Sequence, residues 1–247
     1  MSVGRETEIF DAFMHAIQNQ ELLPGDKLPS EYMLAKQYHV PRLTVRQAFL
    51  RLEELGIVYS EQGKGRFVKA KQMQIELHLS GEVSFTEKMQ QLGYQLETKN
   101  IGFAKIPFAA HIYQNLGAAA TEAVYKISRL RSINGDPIAL HHSYVRAVHL
   151  PMIEVDGPAI QSMFQYYREQ GYTTFRSTKS LLRVLFPSSL EQELLHCTSM
   201  VPLLAVESNC IHAPTDNVLE YTEIRYRGDT FTYNIAISEM GKQEIRS

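Results

Sequence analysis

Apolar positions recur at helical spacing in the first quarter of the chain and alternate at strand spacing in most of the rest. Over residues 5–19, Ile9, Phe10, Phe13 and Ile17 fall on one face, which predicts an amphipathic helix. Glu21-Leu22-Leu23-Pro24-Gly25 reads as the turn out of it. Leu34, Ala35 and Tyr38 mark a short second helix, with Ser30 as N-cap and Glu31 in the first turn, where a negative charge meets the positive end of the helix dipole. A third helix starts near Pro41, whose missing N–H would have lacked a partner there anyway. Its stripe is Val45, Ala48, Phe49, Leu52 and Leu55, and Gly56 stops it. Leu43, Arg46, Gln47 and Leu50 project from the far side, while Arg42 and Thr44 flank the helix start. Ile57-Val58-Tyr59 and Phe67-Val68 then predict two short strands joined across Gly63-Lys64-Gly65.

After Val68 the texture changes. Lys69 to Gln74 is polar and basic without apolar periodicity and reads as a linker, and Ile75 to Leu79 alternates as a strand. Ser84 followed three residues later by Glu87 is a capping box, opening a helix that ends at Gly93. Its free N–H groups, with the hydroxyls of Ser84 and Thr86, offer an anion site. Strands are predicted at 96–103, 123–132, 138–145, 179–185, 203–213, 218–226 and 231–237, and helices at 108–116, 159–170 and 189–197. Asn134-Gly135-Asp136-Pro137 reads as a hairpin turn. The order predicts an α+β fold whose second half is an antiparallel sheet with helices packed on it.

The whole chain of 247 residues, 44% hydrophobic, has room for one large domain or two ordinary ones. No run of eighteen apolar residues occurs, and the charged N-terminus has no apolar stretch behind it, so a cytoplasmic location is expected. Cys197 and Cys210 have no metal-type spacing and read as reduced core residues. The net charge of −2 is unevenly distributed. Residues 27–71 hold nine Lys or Arg against four acids, and residues from 72 onward hold fifteen against eighteen. The positive charge lies where the exposed third helix and the glycine turn lie, as attraction to phosphates requires.

Two helices followed by a hairpin with a basic glycine tip form the outline of a winged helix-turn-helix. Residues 24–68 resemble the DNA-binding domain of the GntR family of bacterial transcription regulators. The family pattern G-x-x-L-P-S-E is matched by Gly25 to Glu31. Its V-S-R-x-T-V-R-x-A-L is matched by Val40 to Phe49, and its G-x-G-T-F-V by Gly63 to Val68. Three departures matter: Tyr32 stands for an arginine, Pro41 for a serine and Arg66 for the wing threonine. The resemblance places Arg42, Thr44, Arg46 and Gln47 in the major groove and Gly63, Lys64 and Gly65 in the minor groove. Leu43 is a candidate for a thymine methyl and Arg66 for a phosphate; Ser30 and Glu31 complete the candidate site.

The second half resembles the UTRA effector domain of the HutC branch of the same family, similar in fold to chorismate lyase. The resemblance rests on Ser84-Phe85-Thr86-Glu87, Ser128-Arg129-Leu130-Arg131, Gly135 to Leu140, Glu220-Tyr221-Thr222 and Tyr226-Arg227-Gly228-Asp229. It implies an effector pocket built from Ser84, Phe85, Thr86, Arg129, Arg131, Arg176, Glu220 and Tyr226, with His141 where the family often has a glutamate. Arg129 and Arg131, two apart on a strand, share a face and can hold an anion together. Adjacent His141 and His142 face opposite ways and cannot easily share a metal.

No Walker loop, H-E-x-x-H or G-x-S-x-G is present, so no catalytic residue, metal or cofactor is assigned. The expectation is therefore a homodimeric repressor that leaves a near-palindromic DNA operator when a small anion binds. Sugar phosphates lead the candidates, amino-sugar phosphates among them. An activator and a small-molecule enzyme with a chorismate-lyase-like domain are the alternatives. The expected division is residues 1–69 for DNA binding, 70–79 as linker and 80–247 for effector binding and dimerisation.

Overall fold

Phe13 and Phe49, 5.5 Å apart between ring centres, sit at the middle of the N-terminal unit. The computed structural model describes residues 4–69, 75–77 and 84–233. The unit consists of α1 (Arg5–Gln18), α2 (Glu31–Gln37), α3 (Arg42–Glu54), β1 (Val58–Glu61) and β2 (Gly65–Val68). The three predicted stripes meet in one core: Ile9 and Phe13 from α1, Leu34 from α2, and Val45, Ala48, Phe49 and Leu52 from α3, closed by Val58 and Val68 of the hairpin. Each such side chain contributes about 1.5–3 kcal/mol by leaving water, so this core fixes how α3 is presented. Ser30 caps α2 by accepting the N–H of Met33 at 3.3 Å. Beyond the last turn of α3, Gly56 takes φ +70°, a left-handed conformation that stops the helix.

The C-terminal unit comprises β3 (Ile75–Leu77), α4 (Phe85–Gln91), β4 (Leu96–Lys105), α5 (Ala110–Leu116), β5 (Val124–Ile133) and β6 (Asp136–Arg146). Next come α6 (Ile153–Asp156), a 3₁₀ turn (Gly157–Ala159), α7 (Met163–Glu169), β7 (Phe175–Arg176), β8 (Ser180–Leu185), α8 (Ser189–Leu195), β9 (Leu203–His212), β10 (Asn217–Arg227) and β11 (Phe231–Tyr233). Seven strands form an antiparallel sheet in the order β4-β5-β6-β10-β9-β7, with β8 pairing along the same edge of β9 as β7. The predicted hairpin joins β5 to β6, with Asn134 and Gly135 at φ +54° and +80°, values that match a tight turn's twist to that of the strands. Separately, β3 pairs with β11 in parallel.

Each face of the sheet has its own cover. On one face, α4 contributes Phe85 and Met89 to a cluster with Ile75, Ile133, Ala139, Val206, Tyr226 and Phe231. On the same face, α7 contributes Met163, Tyr166 and Tyr167 to a cluster with Tyr125, Ile127, Val145, Cys210 and Leu219. The opposite face is covered by α5, through Tyr113 and Leu116, and by α8, through Leu195. Gly157 is required where it stands: a Cβ there would lie 2.1 Å from the Phe103 ring. This close approach seats the 3₁₀ turn on β4 and so aims the start of α7 over the sheet.

Departures from the sequence reading are local. The expected helix at 159–170 is broken by Ile160 to Ser162 and runs only over α7, and β7 is an unexpected two-residue strand. The expected linker falls mostly, and part of the strands at 75–79 and 231–237 falls, outside the described residues. The two units touch directly. The Thr198 hydroxyl donates to the Glu54 carbonyl at the end of α3, and Val201 packs beside Gly56.

Candidate functional site

Two sites emerge, one on each unit. On the first, α3 turns Arg42, Leu43, Arg46 and Gln47 to solvent, while Thr44 is half-buried. Glu31 is the centre of this face. Its carboxylate, with a side chain only 10% exposed, takes Arg46 at 3.1 Å, Arg66 at 3.0 Å and Arg42 at 3.6 Å. The hydrogen bond from Arg46 holds the Glu31 carboxyl below its ordinary pKa, partial burial opposing and Arg66 assisting. Three arginines on α3 and on the wing are thereby arranged by one acid on α2. Such a fork of charge is suited to a row of phosphates.

Arg66, expected on a phosphate, is turned inward. It also bonds Glu53 at 2.7 Å and lies over the Phe49 ring, so it braces the wing against α2 and α3. Ser30 serves as the α2 cap, and Glu31 orients arginines rather than presenting a free acid. At the wing tip, Gly63 and Gly65 have φ of +77° and +118°, conformations open to glycine, and Lys64 pairs with Glu61 at 2.6 Å.

The second site is a cavity of about 130 Å³ between the sheet and the helices α4 and α7. Strand alternation builds its floor. Register pairs Arg129 with His141 and Arg131 with Ala139 across β5 and β6. On β6 and β10 it pairs His141 with Ile224 and Ala139 with Tyr226. On β10 and β9 it pairs Glu220 with Cys210 and Thr222 with Ser208. Paired residues share a face, so these side chains stand together. Ser84, Phe85 and Thr86 form the rim at the start of α4, where the capping box is present in full: Ser84 Oγ accepts the N–H of Glu87 and Glu87 accepts that of Ser84.

The chemistry of this floor is unusual in its burial. Arg129 and Arg131 are each only 3% exposed. Arg129 donates to the Ser143 hydroxyl and, at 3.4 Å, to the Gln161 carbonyl, and lies 4.0 Å from Glu220. Arg131 donates to the Thr98 hydroxyl and faces the Phe85 ring. Burial lowers the pKa of both, and the proximity of Arg129 depresses Arg131 further. Burial raises that of Glu220, with Arg129 opposing. His141, between the rings of Phe85 and Tyr226, is held neutral by burial and then by Arg131 and Arg129. Thr86 Oγ1, Arg129 Nε, Arg131 Nε and His141 Nε2 are buried without a hydrogen-bond partner. Such groups carry a desolvation cost of about 1–3 kcal/mol each, which marks the cavity as a place with unmet hydrogen-bonding capacity, the two Nε atoms as donors.

Eight of the nine residues expected in the pocket line it: Ser84, Phe85, Thr86, Arg129, Arg131, His141, Glu220 and Tyr226. Arg176 does not. It lies on β7 opposite Ile211, one step out of phase with Cys210, and so falls on the other face of the sheet, where it pairs with Asp216 at 2.7 Å. Sequence reasoning missed the rest of the lining: Lys88 on α4, Ser162 to Phe164 at the start of α7, and Ser208, Asn209 and Thr222 on β9 and β10. His142 faces away from the cavity, as strand alternation requires, and bonds Ser128 at 2.9 Å.

A recognition helix with a wing, joined to a cavity over an antiparallel sheet, defines a ligand-responsive DNA-binding regulator. Residues 5–68 match the family described as bacterial regulatory proteins, gntR family, and residues 91–232 match the UTRA domain. The chain belongs to the GntR family and carries a UTRA domain. It is 30% identical to the HTH-type transcriptional repressor NagR of Bacillus subtilis, covering 92% of this chain and 91% of that protein. It is 25% identical to the mannosyl-D-glycerate transport/metabolism system repressor MngR of Escherichia coli, covering 92% and 93%. In fold it is similar to PhnF from Mycobacterium smegmatis, with a TM-score of 0.59, 20% identity and coverage of 94% and 99%.

Proposed function

We propose that this protein is a homodimeric repressor, acting in the cytoplasm, that leaves a two-fold DNA operator when a small anion enters the cavity. A sugar phosphate is the favoured effector. The observation that carries the reading is the buried pair Arg129 and Arg131, with unpartnered Nε atoms, in the same chain as an exposed recognition helix. Relatives named as repressors, one of them of a mannosyl-D-glycerate transport/metabolism system, support its sign. In this reading Arg42, Thr44, Arg46 and Gln47 meet the major groove, with Leu43 against a thymine methyl and Gly63 to Gly65 in the minor groove. Ser30, Glu31 and Arg66 hold these groups in place.

The division into residues 1–69, 70–79 and 80–247 belongs to the same proposal, with the stretch 69–74, ahead of β3, as hinge. Dimerisation is supported by the exposed run Leu182, Val184, Leu185, Phe186 and Leu190, on and just beyond the edge strand β8. An antiparallel edge strand can pair with its own copy about a two-fold axis. Effector binding changes DNA affinity only through unequal affinity for the two states, and the Thr198 to Glu54 contact is one place where those states can differ.

The test is to select genomic fragments with the purified protein and titrate the complex with glucose 6-phosphate and other phosphate esters. The reading expects two-fold operator sequences, release by an anion, and an Arg129→Ala protein that binds the operator yet does not let go. Retention of no specific DNA, or release of the variant at the same anion concentration, would overturn it.

A further inference from the structure

Of the run Tyr226-Arg227-Gly228-Asp229, only the first residue lines the cavity. The Tyr226 ring lies 5.6 Å from that of His141 and 5.7 Å from that of Phe85. The two residues after it leave the cavity and hold the loop 196–202, which joins α8 to β9. Arg227 pairs with Leu203 across the sheet and, one step on from Tyr226, faces the side away from the cavity. Its buried guanidinium donates to the Leu195 carbonyl at 3.1 Å, where the loop begins, and is fixed by Asp229 at 2.7 and 3.0 Å. Gly228 takes the other end, its N–H donating to the Pro202 carbonyl at 2.8 Å. No side chain fits there, since a Cβ on residue 228 would lie 2.6 Å from that carbonyl oxygen.

Consecutive Cα atoms are held about 3.8 Å apart by the planar peptide unit, so a displacement of Tyr226 reaches both grips. The Arg227 grip is buried, where water does not replace a lost donor, and close-packed groups pass strain on rather than absorb it. Between its two held ends the loop touches the recognition helix. The Thr198 hydroxyl donates to the Glu54 carbonyl, and Val201 packs beside Gly56. A turn ties these two contacts together, the Val201 N–H donating to the Thr198 carbonyl at 3.2 Å.

We infer that the loop 196–202, carried by Arg227 and Gly228, is the mechanical link between the cavity and α3: a ligand that displaces Tyr226 moves the loop and, with it, the C-terminal end of the recognition helix. The inference rests on the reading of the cavity as the effector site and of α3 as the DNA-reading helix, and names how the first regulates the second.

Coupling of this kind is reciprocal, so it can be read from the DNA side without any effector. The experiment is hydrogen–deuterium exchange, followed by mass spectrometry, on the full-length protein free and bound to a genomic fragment that it has selected. The native chain is compared with Thr198→Val, which removes the donor and keeps the shape. In the native chain DNA slows exchange over α3 and, at least about threefold, over 196–202 and 226–230. In Thr198→Val the slowing over α3 remains and that over 226–230 falls by half or more. Gly228→Ala, whose added methyl group presses on Pro202, speeds exchange over 52–57 of the free protein at least about threefold.

Failure to select any fragment, or no slowing over α3, would overturn the DNA-binding reading and this inference with it. Slowing over α3 with unchanged exchange at 226–230 would overturn this inference alone. So would a slowing at 226–230 that Thr198→Val keeps by more than half, or a folded Gly228→Ala protein with native exchange over 52–57. If Gly228→Ala does not fold, the comparison with Thr198→Val decides by itself. A cavity that takes no anion shows itself in the operator-release titration, separately from these rates.

Discussion

Arg46 and Arg131 occupy comparable places, each beside a second arginine and near one glutamate, yet their surroundings are opposite. Around Glu31, Arg42 and Arg46 are more than half in water, and the carboxylate is paired three times over. Around Glu220 the arginines are buried, and the Nε of each has no acceptor. At a surface, ion pairs contribute about 0–1 kcal/mol and are screened by salt, so a carboxylate can hold arginines ready and yield them to phosphates. In an interior the same groups lose their hydration, and an incomplete set of partners leaves a deficit that a ligand fills. In the proposed reading, one site is preassembled for its partner and the other is held short of partners until one arrives.

The sharpest way to break this contrast is Arg131→Met. It should abolish the effector-induced rise in melting temperature, weakening binding more than about 100-fold, while leaving operator binding intact. Because a buried, under-paired charge is replaced by an apolar chain, the free protein should gain about 1 kcal/mol in stability, read by denaturant titration. A loss of stability would mean that the native arginine is better satisfied than its geometry indicates.

Next in size is Arg46→Ala, expected to cost operator binding about 1–3 kcal/mol by fluorescence anisotropy. Leu43→Ala should instead change which base pairs are preferred, with affinity within about threefold. Glu31→Gln separates positioning from attraction. Freed arginines should bind any DNA more tightly, so that discrimination between operator and random sequence falls about tenfold while the salt dependence steepens.

The effect that vanishes at neutral pH concerns protons. His141 and His142 both have folded pKa values below the usual 6.5, burial being the main cause, and that of His142 falls to about 4. The unfolded chain therefore binds protons that the folded chain refuses. Stability is full above pH 6.5 and declines between pH 6.5 and 4, by at most about 1.4 kcal/mol per pH unit for each group. His142→Asn, lying on the face away from the cavity, should flatten part of that slope in melting curves without altering effector affinity.

Much of the architecture was legible because it is written in local periods. The stripe from Val45 to Leu52, the Ser84 and Glu87 box, and the Asn134-Gly135 turn each declare an element through residues within a few positions of one another. The pairing of Arg129 with Arg131 was legible for the same reason. Less visible were relations across long stretches. Glu31 meets Arg66 thirty-five positions away, and α7 brings Ser162 to Phe164 over a floor made by β5, β6, β9 and β10. Arg176 escaped because a two-residue strand carries no period of its own. Its face is set by pairing with Ile211, which only the assembled sheet determines.

The Thr198 contact has a mechanical reading. It fastens α3 at Glu54, the end remote from Arg42. Thirteen residues of helix form an arm of about 20 Å. Turning such an arm by about 10° about its fastened end sweeps the free end roughly 3 Å, close to the rise of one base pair. In the proposed reading, a small displacement where Thr198 meets that carbonyl would be magnified at the far end of the helix, which would make the loop after α8 its fulcrum.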